Sequence, residues 1–326
     1  MKKCLVGISG GVDSLFAALK LKKEGYYVLC VNLKMHSNES LPNSALEFLK
    51  ENRIDYYYAD YIKEFKEYVI DYFLKEYMSG YTPNPCVICN RDVKMKMLYK
   101  EALKNGIEFI ATGHYADFKK GFLMRHKSKK DQSYFLACVD REILNHTIFP
   151  LNDYTKEQVK SIFSNYEKDS SDLCFVKKDY RVLLKKKFGE IKGKIIKNNK
   201  VVGYHNGFFN YTVGQRKGLQ IEGIPHYVIA IDAKNNTIYA GTEDKLYTSE
   251  FFLDDLQLYE KKTFFDDKRV ECFVRYGAKP KVCSLDVKKK KVALLERERA
   301  VTPGQIAVFY YEDRVVACGR IGYGIY

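Results

Sequence analysis

The first third of the chain alternates between short apolar runs and amphipathic segments. Residues 4–8 are apolar, residues 15–23 are amphipathic and end at Gly25, and residues 27–33 are apolar again. Short apolar runs predict buried strands, and apolar residues at i, i+3 and i+4 predict a helix. The chain is therefore expected to open with a strand–helix–strand unit.

The same alternation continues as far as residue 111. The further helices are predicted over residues 45–52, 63–78 and 91–105, and the further strands over residues 54–58 and 107–111. Such alternation predicts an α/β fold with a parallel sheet that is covered by helices on both faces. Ligands of such sheets bind beyond the carboxyl ends of the strands, where the sequences SGGVDS and TGH lie in this chain.

The pattern changes near residue 185. Residues 185–200 hold seven lysines and one acidic residue, and Asn pairs between apolar runs in KIIKNNKVV and AIDAKNNTIYAG predict two hairpins. From about residue 251 onward, alternation without a helical period predicts a small antiparallel β-barrel or sandwich. We therefore expect an α/β domain over residues 1–184, a small central domain over residues 185–248 and a β-barrel domain over residues 249–326.

Composition and charge narrow the class of protein. The 326 residues are 46% apolar and 29% charged, which excludes wholesale disorder. No apolar run approaches the roughly 18 residues that a membrane span needs, so a cytoplasmic protein without a membrane partner is expected. The net charge of +14 attracts polyanions, nucleic acid first among them. The alternative is a Lys-rich chain whose lysines are solvated on helix faces.

The motif SGGVDS, residues 9–14, follows the first predicted strand and opens the first helix. Its glycines let backbone N–H groups approach a phosphate, its hydroxyls add donors, and the helix N-terminus adds a positive end. It lacks the Lys-Ser/Thr pair of a Walker loop, so γ-phosphoryl transfer of the kinase kind is not predicted. The alternative is a tight turn in which Asp13 or Ser14 caps the helix.

Cysteines supply a second candidate chemistry. In TPNPCVICN, residues 82–90, Cys89 is expected near the first turn of a helix, where the helix dipole favours the thiolate. The pair Cys86 and Cys89 alone is compatible with half a zinc site, a redox pair, part of a cluster site or two core cysteines. On its own, Cys174 is typical of a core cysteine. Nine cysteines, an odd number in a large chain, make a disulfide framework unexpected.

Several segments combine basic, aromatic and turn residues. They are residues 129–135, residues 210–217 and the pair Arg275-Tyr276. Arg and Lys bind phosphates while Tyr, Phe and Gln contact unpaired bases, which is how many RNA contacts are built. Each segment alone is more typical of a solvated surface, and His114 is compatible with either a ligand contact or a structural role.

With these motifs the chain resembles the bacterial tRNA-specific 2-thiouridylase family, which is similar to other PP-loop ATP pyrophosphatases. The shared sequences are GISGGVDS (7–14), GYTPNPCVICN (80–90), ATGHYA (111–116), KDQSYFL (130–136), FPL (149–151), KDSSDLCF (168–175), YTVGQRKGL (211–219), RY (275–276) and TPGQ (302–305). The resemblance implies an N-terminal PP-loop domain with a Rossmann-like parallel sheet, a small central domain and a C-terminal antiparallel β-barrel.

The resemblance also implies a reaction. ATP, with Mg²⁺, would adenylate the C2 oxygen of the wobble uridine of a tRNA, and sulfur would then displace AMP to give 2-thiouridine. Cys89 is implied to be the nucleophile. Cys174 is implied to carry a persulfide from a sulfur-relay protein or cysteine desulfurase, before the two cysteines pair as a disulfide. The target base must leave its stack to reach the site.

The remaining site residues follow from the same resemblance. Those implied to bind the nucleotide are Gly7, Ile8, Ser9, Gly10, Gly11, Val12, Asp13, Ser14, Leu33 and Gly113. Those implied to contact the target base are Asn84, Pro85 and Cys86. Those implied to contact tRNA elsewhere are His114, Lys130, Asp131, Gln132, Arg275, Tyr276 and Gln305.

The chain departs from the family pattern at a few positions. Cys86 stands where the family usually has Asp, Leu33 where Met is usual, and Ser171-Asp172 where Gln/Thr-Gly is usual. Relatives with three cysteines hold a [4Fe–4S] cluster, so Cys86, Cys89 and Cys174 form an alternative ligand set. Two further alternatives are a PP-loop ligase of small molecules, which the basic segments disfavour, and a non-catalytic RNA-binding paralogue, which the missing Asp favours.

Overall fold

The computed structural model describes residues 1–37, 40–163, 174–176, 179–219, 221 and 225–323. The chain divides into two compact units. Unit 1 comprises Met1–Ile70, Pro85–Phe175 and Glu312–Val315, and unit 2 comprises Asp71–Asn84, Val176–Tyr311 and Val316–Tyr326. Each unit has its own apolar core.

The strands and helices of the described residues are as follows. The strands are β1 Lys3–Gly7, β2 Tyr27–Lys34, β3 Asp55–Asp60, β4 Phe109–Ala111, β5 Asp117–Lys119, β6 Phe122–Met124, β7 Thr147–Ile148, β8 Gly193–Lys197, β9 Lys200–His205, β10 Tyr227–Asp232, β11 Thr237–Gly241, β12 Tyr247–Phe252, β13 Gln257–Leu258, β14 Val270–Phe273, β15 Lys281–Asp286, β16 Lys291–Arg299, β17 Ile306–Tyr311 and β18 Arg314–Arg320. The α-helices are α1 Val12–Lys23, α2 Asn43–Glu51, α3 Ile62–Phe65, α4 Tyr72–Met78, α5 Pro85–Ile88, α6 Met95–Lys104, α7 Ser133–Leu136, α8 Arg141–Asn145, α9 Lys156–Ile162, α10 Tyr180–Phe188 and α11 Phe264–Asp267. Wider π-helical turns span Lys66–Asp71 and Cys89–Lys94, and 3₁₀ turns span Phe208–Asn210 and Glu243–Leu246.

Unit 1 is built on a parallel sheet with the strand order β3-β2-β1-β4-β7. Strand β1 lies between β2 and β4, so the direction in which the sheet is wound reverses there. A reversal of this kind leaves a crevice at the carboxyl ends of the two strands. The sequences SGGVDS and TGH follow β1 and β4, so both motifs lie at this crevice.

The core of unit 1 explains why these segments fold as they do. Cys4, Leu5 and Val6 of β1 are fully buried, as expected for a central strand that is covered on both faces. Leu15 and Leu21, on one face of α1, are also fully buried. Helix α1 therefore follows the apolar spacing in the sequence, and it fixes the loop that precedes it.

Unit 2 contains two further β layers. One sheet has the order β10-β11-β8-β9, and it includes both predicted hairpins. In the first hairpin Asn198 and Asn199 have φ of 48° and 61°, the left-handed backbone that a tight turn between twisted strands requires. The other β layer is antiparallel, with β12-β16-β15-β14-β17-β18 in order and β13 beside β18. The predicted fold class is confirmed.

The described elements differ from expectation in several places, and α7, α8, α9 and α10 lie where no helix was predicted. The helix predicted from residue 91 begins at Pro85, because proline suits the first helical position, where its missing N–H is not needed. The helix predicted over 63–78 contains the wide turn Lys66–Asp71. The one-turn helix α11 lies where no helix was predicted. The domain boundary expected after residue 184 falls inside α10.

In the described part of the chain, no helix combines the length and the apolar composition that crossing a bilayer requires.

Candidate functional site

A cavity of about 460 Å³ lies at the crevice of unit 1. Residues from the loop after β1, the end of β2, the turn after β4 and the helix that begins at Pro85 line it. The predicted site residues in its wall are Gly7, Ile8, Ser9, Gly11, Val12, Asp13, Ser14, Leu33, Pro85, Cys86, Cys89, Gly113, His114, Lys130, Gln132 and Cys174. The structure thus brings the SGGVDS loop and the three candidate cysteines to one cavity.

The serines of the SGGVDS loop hold its shape. The Ser14 hydroxyl donates to the Gly11 carbonyl at 2.8 Å and accepts from the Ser9 N–H at 3.3 Å. Gly11 is the N-cap of α1, and no side chain caps the helix. The alternative in which Asp13 or Ser14 caps α1 is therefore wrong. No side-chain cap therefore competes with an anion for the N-terminus of α1, whose positive end favours one.

Two glycines allow a close fit around this loop. Gly10 has φ of +76°, and a Cβ on it would lie 2.4 Å from Cδ of Pro42. Gly113 does not have a positive φ, but a Cβ on it would lie 2.6 Å from the carbonyl carbon of Asp13 and 2.7 Å from the Ser14 nitrogen. The turn after β4 therefore packs directly on the backbone of the loop, and any larger residue would displace it.

Asp13 accepts hydrogen bonds from three side chains. The Tyr115 hydroxyl donates to Oδ1 at 2.8 Å, and Nζ of Lys130 donates to Oδ2 at 3.0 Å. Nζ of Lys156 lies 2.9 Å from both carboxylate oxygens. Burial lowers the pKa of Lys130, and the Asp13 carboxylate opposes that shift. The carboxylate thus neutralises part of a basic pocket wall.

Lys156 was missed by the sequence analysis. It is the first residue of α9, directly after the Thr155 N-cap, whose capping box with Gln158 is complete. A lysine in the first turn of a helix is unfavourable, because that end of the helix dipole is positive. The pairing with Asp13 offsets this cost, and the sequence alone carried no signal for it.

The cavity wall is basic. Among the described residues that line it, Lys94, Lys130 and Lys156 face a single acidic residue, Asp13. His114 accepts or donates a 2.8 Å hydrogen bond between its Nδ1 and the Thr112 hydroxyl. Burial lowers the pKa of His114 to about 3, and Lys94 and Lys130 add to the effect, so the ring is neutral near pH 7. A cavity of this charge attracts a polyanion such as a polyphosphate.

The three candidate cysteines differ in accessibility. Cys174 is exposed, Cys86 is half-buried and Cys89 is buried. Burial raises the pKa of Cys89 to about 12, the thiols of Cys174 and Cys86 add to this, and the Lys94 charge opposes it. The expected lowering by the helix dipole is therefore wrong: the helix begins at Pro85, so Cys89 lies one turn inside it, at 8% exposure.

The wide turn Cys89–Lys94 contributes residues to the cavity wall. A π-helical turn inserts one residue into an α-helix, and such turns are frequent at functional sites. Here it spans the segment between Cys89 and Lys94, both of which line the cavity. The turn therefore lets one short segment present a thiol and an ammonium group to the same space.

Neither metal group that the resemblance suggests fits the described residues. Asp13, the acidic residue of the wall, is already engaged by three donors, so it does not fit Mg²⁺ in this arrangement. The described residues contain no group of three or more His, Cys, Asp or Glu side chains placed to bind one metal ion. The three thiols as arranged here therefore do not fit an iron–sulfur cluster, and we derive no step through either group.

Several predicted site residues lie elsewhere. Gly10 is packed on Pro42 and is not part of the wall, and Asp131 accepts from the His126 and Ser133 N–H groups at 3.0 Å. The predicted residues in unit 2 are Asn84, Arg275, Tyr276 and Gln305. Of these, Gln305 donates to the Thr82 carbonyl at 2.9 Å, and Tyr276 is 46% exposed. Ser171 and Asp172 lie outside the described residues.

Fold and site together define a parallel α/β protein with a basic, thiol-bearing cavity at the reversal of its sheet. Family models match most of the chain: a tRNA methyl transferase HUP domain over residues 2–178, a tRNA methyl transferase PRC-barrel domain over residues 181–242, and an aminomethyltransferase β-barrel domain over residues 248–321.

Curated relatives match over nearly the whole length. A tRNA-specific 2-thiouridylase MnmA from Campylobacter jejuni is 38% identical, and the match covers 98% of this chain and 99% of the relative. The protein of the same name from Clostridioides difficile is 37% identical, with 98% of each chain covered. The chain belongs to the tRNA-specific 2-thiouridylase family. The resemblance stated from the sequence motifs is thereby confirmed.

Among solved structures, one described as a predicted subunit of a tRNA methyltransferase from Methanocaldococcus jannaschii matches at 17% identity. It covers 51% of this chain and 78% of that chain, with a TM-score of 0.35.

Proposed function

We propose that the protein is a tRNA-uridine 2-sulfurtransferase, which replaces the C2 oxygen of the wobble uridine by sulfur at the expense of ATP. The observation that carries this proposal is the presence of three thiols and the SGGVDS loop in the wall of one basic cavity. The family models carry the name of a methyl transferase, whereas the curated relatives are named thiouridylases. Thiols beside an anion-binding loop favour sulfur transfer.

The first step of the proposed reaction activates the base. The uridine O2 attacks the α-phosphorus of ATP, the bond from that phosphorus to the bridging oxygen breaks, and pyrophosphate leaves with the electron pair. The proton on N3 of the uridine is lost in the same step. The first-turn amides of α1 and the lysines of the cavity wall stabilise the charge that develops on the phosphates. AMP then becomes a good leaving group at C2.

The second step transfers sulfur, with Cys174 and Cys89 in different roles. A donor protein, either a sulfur-relay protein or a cysteine desulfurase, leaves a persulfide on Cys174. Its terminal sulfur attacks C2 and AMP departs. The Cys89 thiolate then attacks the Cys174 sulfur, which breaks the S–S bond, forms a Cys89–Cys174 disulfide and releases 2-thiouridine. The exposure of Cys174 suits contact with a donor, and the burial of Cys89 suits contact with a base.

The tRNA contacts belong to the same proposal. His114, Lys130, Gln132, Pro85 and Cys86 line the cavity into which the base would turn. The unit 2 residues Asn84, Arg275, Tyr276 and Gln305 would contact the anticodon stem-loop outside it. The net charge of +14 supplies the attraction for the phosphate backbone.

The test measures pyrophosphate release and 2-thiouridine formation by the purified protein with ATP, tRNA and a persulfide donor. We expect pyrophosphate release to need tRNA. A Cys89→Ser variant should still release pyrophosphate but form no 2-thiouridine, whereas Cys86→Ser, its matched control three residues earlier, should form measurable product. Pyrophosphate release without tRNA would instead indicate a small-molecule ligase.

Two other outcomes would replace parts of the proposal. Binding of tRNA without any pyrophosphate release would indicate a non-catalytic RNA-binding protein. A brown colour of the unaltered protein after anaerobic purification, with loss of both iron and activity in Cys86→Ser, would indicate the cluster mechanism in place of the persulfide relay.

A further inference from the structure

Lys130 and Lys156 both bind the carboxylate of Asp13 in the cavity wall. Nζ of Lys156 lies 2.9 Å from both oxygens of Asp13, and Nζ of Lys130 lies 3.0 Å from one of them. The side chain of Lys156 is only 16% exposed, that of Lys130 is 29% exposed and that of Asp13 is 22% exposed. Both ammonium groups therefore already stand at the SGGVDS loop, partly removed from water.

We propose that Lys156 and Lys130 bind the terminal phosphates of ATP, exchanging the Asp13 carboxylate for the polyphosphate, and then hold the departing pyrophosphate. This inference rests on the proposed function, because it assigns residues to the nucleotide of that reaction. It gives Lys156 a role that the sequence motifs did not supply. It also assigns Lys130, which the resemblance placed among the tRNA contacts, to the nucleotide.

Charge balance favours an exchange over a permanent ion pair. One carboxylate faces two ammonium groups, and Lys94 adds a third positive charge to the described part of the wall. Partly buried lysines without a counterion are costly, and the Asp13 carboxylate neutralises them in this arrangement. A polyphosphate carries more negative charge than one carboxylate and accepts several charge-assisted hydrogen bonds at once, so it is the stronger partner.

The backbone around Asp13 limits how the exchange occurs. Gly113 packs so closely on Asp13 and Ser14 that a Cβ on it would lie 2.6 Å from the Asp13 carbonyl carbon. The loop backbone is therefore held in place. The exchange therefore needs side-chain rotation only: the Asp13 carboxylate rotates away, and the two lysines, which line the cavity, rotate toward the phosphates.

The competing explanation is purely structural. Lys156 lies on α9 and Asp13 on α1, and the segment that leads into α9 also packs on α1 through Tyr154 and Phe16, whose ring centroids are 4.8 Å apart. If the ion pair only joins the two helices, removing Lys156 lowers stability but does not change phosphate recognition. The two explanations therefore differ in whether removing Lys156 weakens the binding of phosphate-bearing ligands.

The experiment titrates the full-length protein, without tRNA, with inorganic pyrophosphate and separately with adenosine, in calorimetry. We expect Lys156→Gln and Lys130→Gln each to weaken pyrophosphate binding about tenfold or more, since each removes a charge-assisted contact. Adenosine binding should stay within about twofold, because adenosine has no phosphate. Lys160→Gln, the same change on an exposed position of α9, should leave both affinities unchanged.

An Asp13→Asn variant distinguishes an exchange of partners from a permanent ion pair. Because a gain in affinity is expected, the result cannot be explained by misfolding, as a loss in a lysine variant could be. If Asp13 competes with the phosphates, this variant binds pyrophosphate more tightly than the unaltered protein. Weaker or equal binding by Asp13→Asn, or unchanged pyrophosphate binding in both lysine variants, would overturn the inference. Absence of tRNA-dependent pyrophosphate release by the unaltered protein would overturn the proposed function instead, and the two failures are thereby distinguished.

Discussion

Cys89, the proposed nucleophile, should react slowly with alkylating reagents. Burial raises the pKa of its thiol from the ordinary 9.0 to about 12. Near about pH 8 this lowers the thiolate fraction from roughly one in ten to roughly one in ten thousand. A more basic thiolate is a better nucleophile, with a Brønsted coefficient of about 0.4–0.5, which recovers a factor of roughly 15 to 30. The two effects together predict that Cys89 is alkylated roughly 30- to 60-fold more slowly than an unperturbed thiol.

The assay follows iodoacetamide labelling over time and locates the modified cysteine by peptide fragmentation. The reference rate is that of the same cysteine in the denatured chain, and Cys174, which is exposed, is expected to react faster than Cys89. The Cys89 rate should keep rising about tenfold per pH unit up to about pH 10, because the thiol is still mostly protonated there. Labelling of Cys89 at the denatured rate near neutral pH, or a plateau below about pH 10, would refute the reasoning.

Three further predictions concern the nucleotide loop, unit 2 and the tRNA. A Gly113→Ala variant should remain folded by circular dichroism but lose ATP binding at least about tenfold, because its Cβ would clash with the loop backbone; unchanged ATP affinity would contradict that contact. Arg320→Gln should lower the free energy of unfolding by about 2 kcal/mol in denaturant titrations, since Nη1 of Arg320 donates to both oxygens of the Glu76 carboxylate at 2.8 and 2.7 Å and its loss leaves that buried group uncompensated; an unchanged midpoint would count against it. The affinity for tRNA should fall steeply with salt; Tyr276→Ala should weaken binding at every salt concentration, whereas Lys186→Ala should flatten the dependence, and salt-independent binding would be the contrary result.

The sheet and its loop were predictable because their information is local. Apolar runs and turn residues identified β1, β2 and both Asn-Asn hairpins, and SGGVDS marked the anion-binding loop by its position between a strand and a helix. The start of the helix at Pro85 was not predicted, because the prolines were interpreted as a stiff approach to the helix. The same residue type also serves as a first helical residue.

The chemistry of individual side chains was less predictable, because it depends on packing between distant segments. The thiol of Cys89 was expected to be acidic from its place near a helix start, but its burial raises the pKa. Lys156 attracted no interest in the sequence, and its role became visible only beside Asp13. Burial and pairing of this kind are properties of the folded unit and not of a motif.

The partners of Asp13 also set an order in which the site comes into being. Tyr115, Lys130 and Lys156 follow it in the chain by 102, 117 and 143 residues. A ribosome that has released only the first strands has made the complete SGGVDS loop, but none of the groups that balance its carboxylate. Closing such long loops must precede the contacts, so the loop acquires its charge environment late in folding. A nascent or truncated chain that ends before α9 therefore carries the nucleotide motif without the lysine that faces it, and the motif alone does not make a binding site.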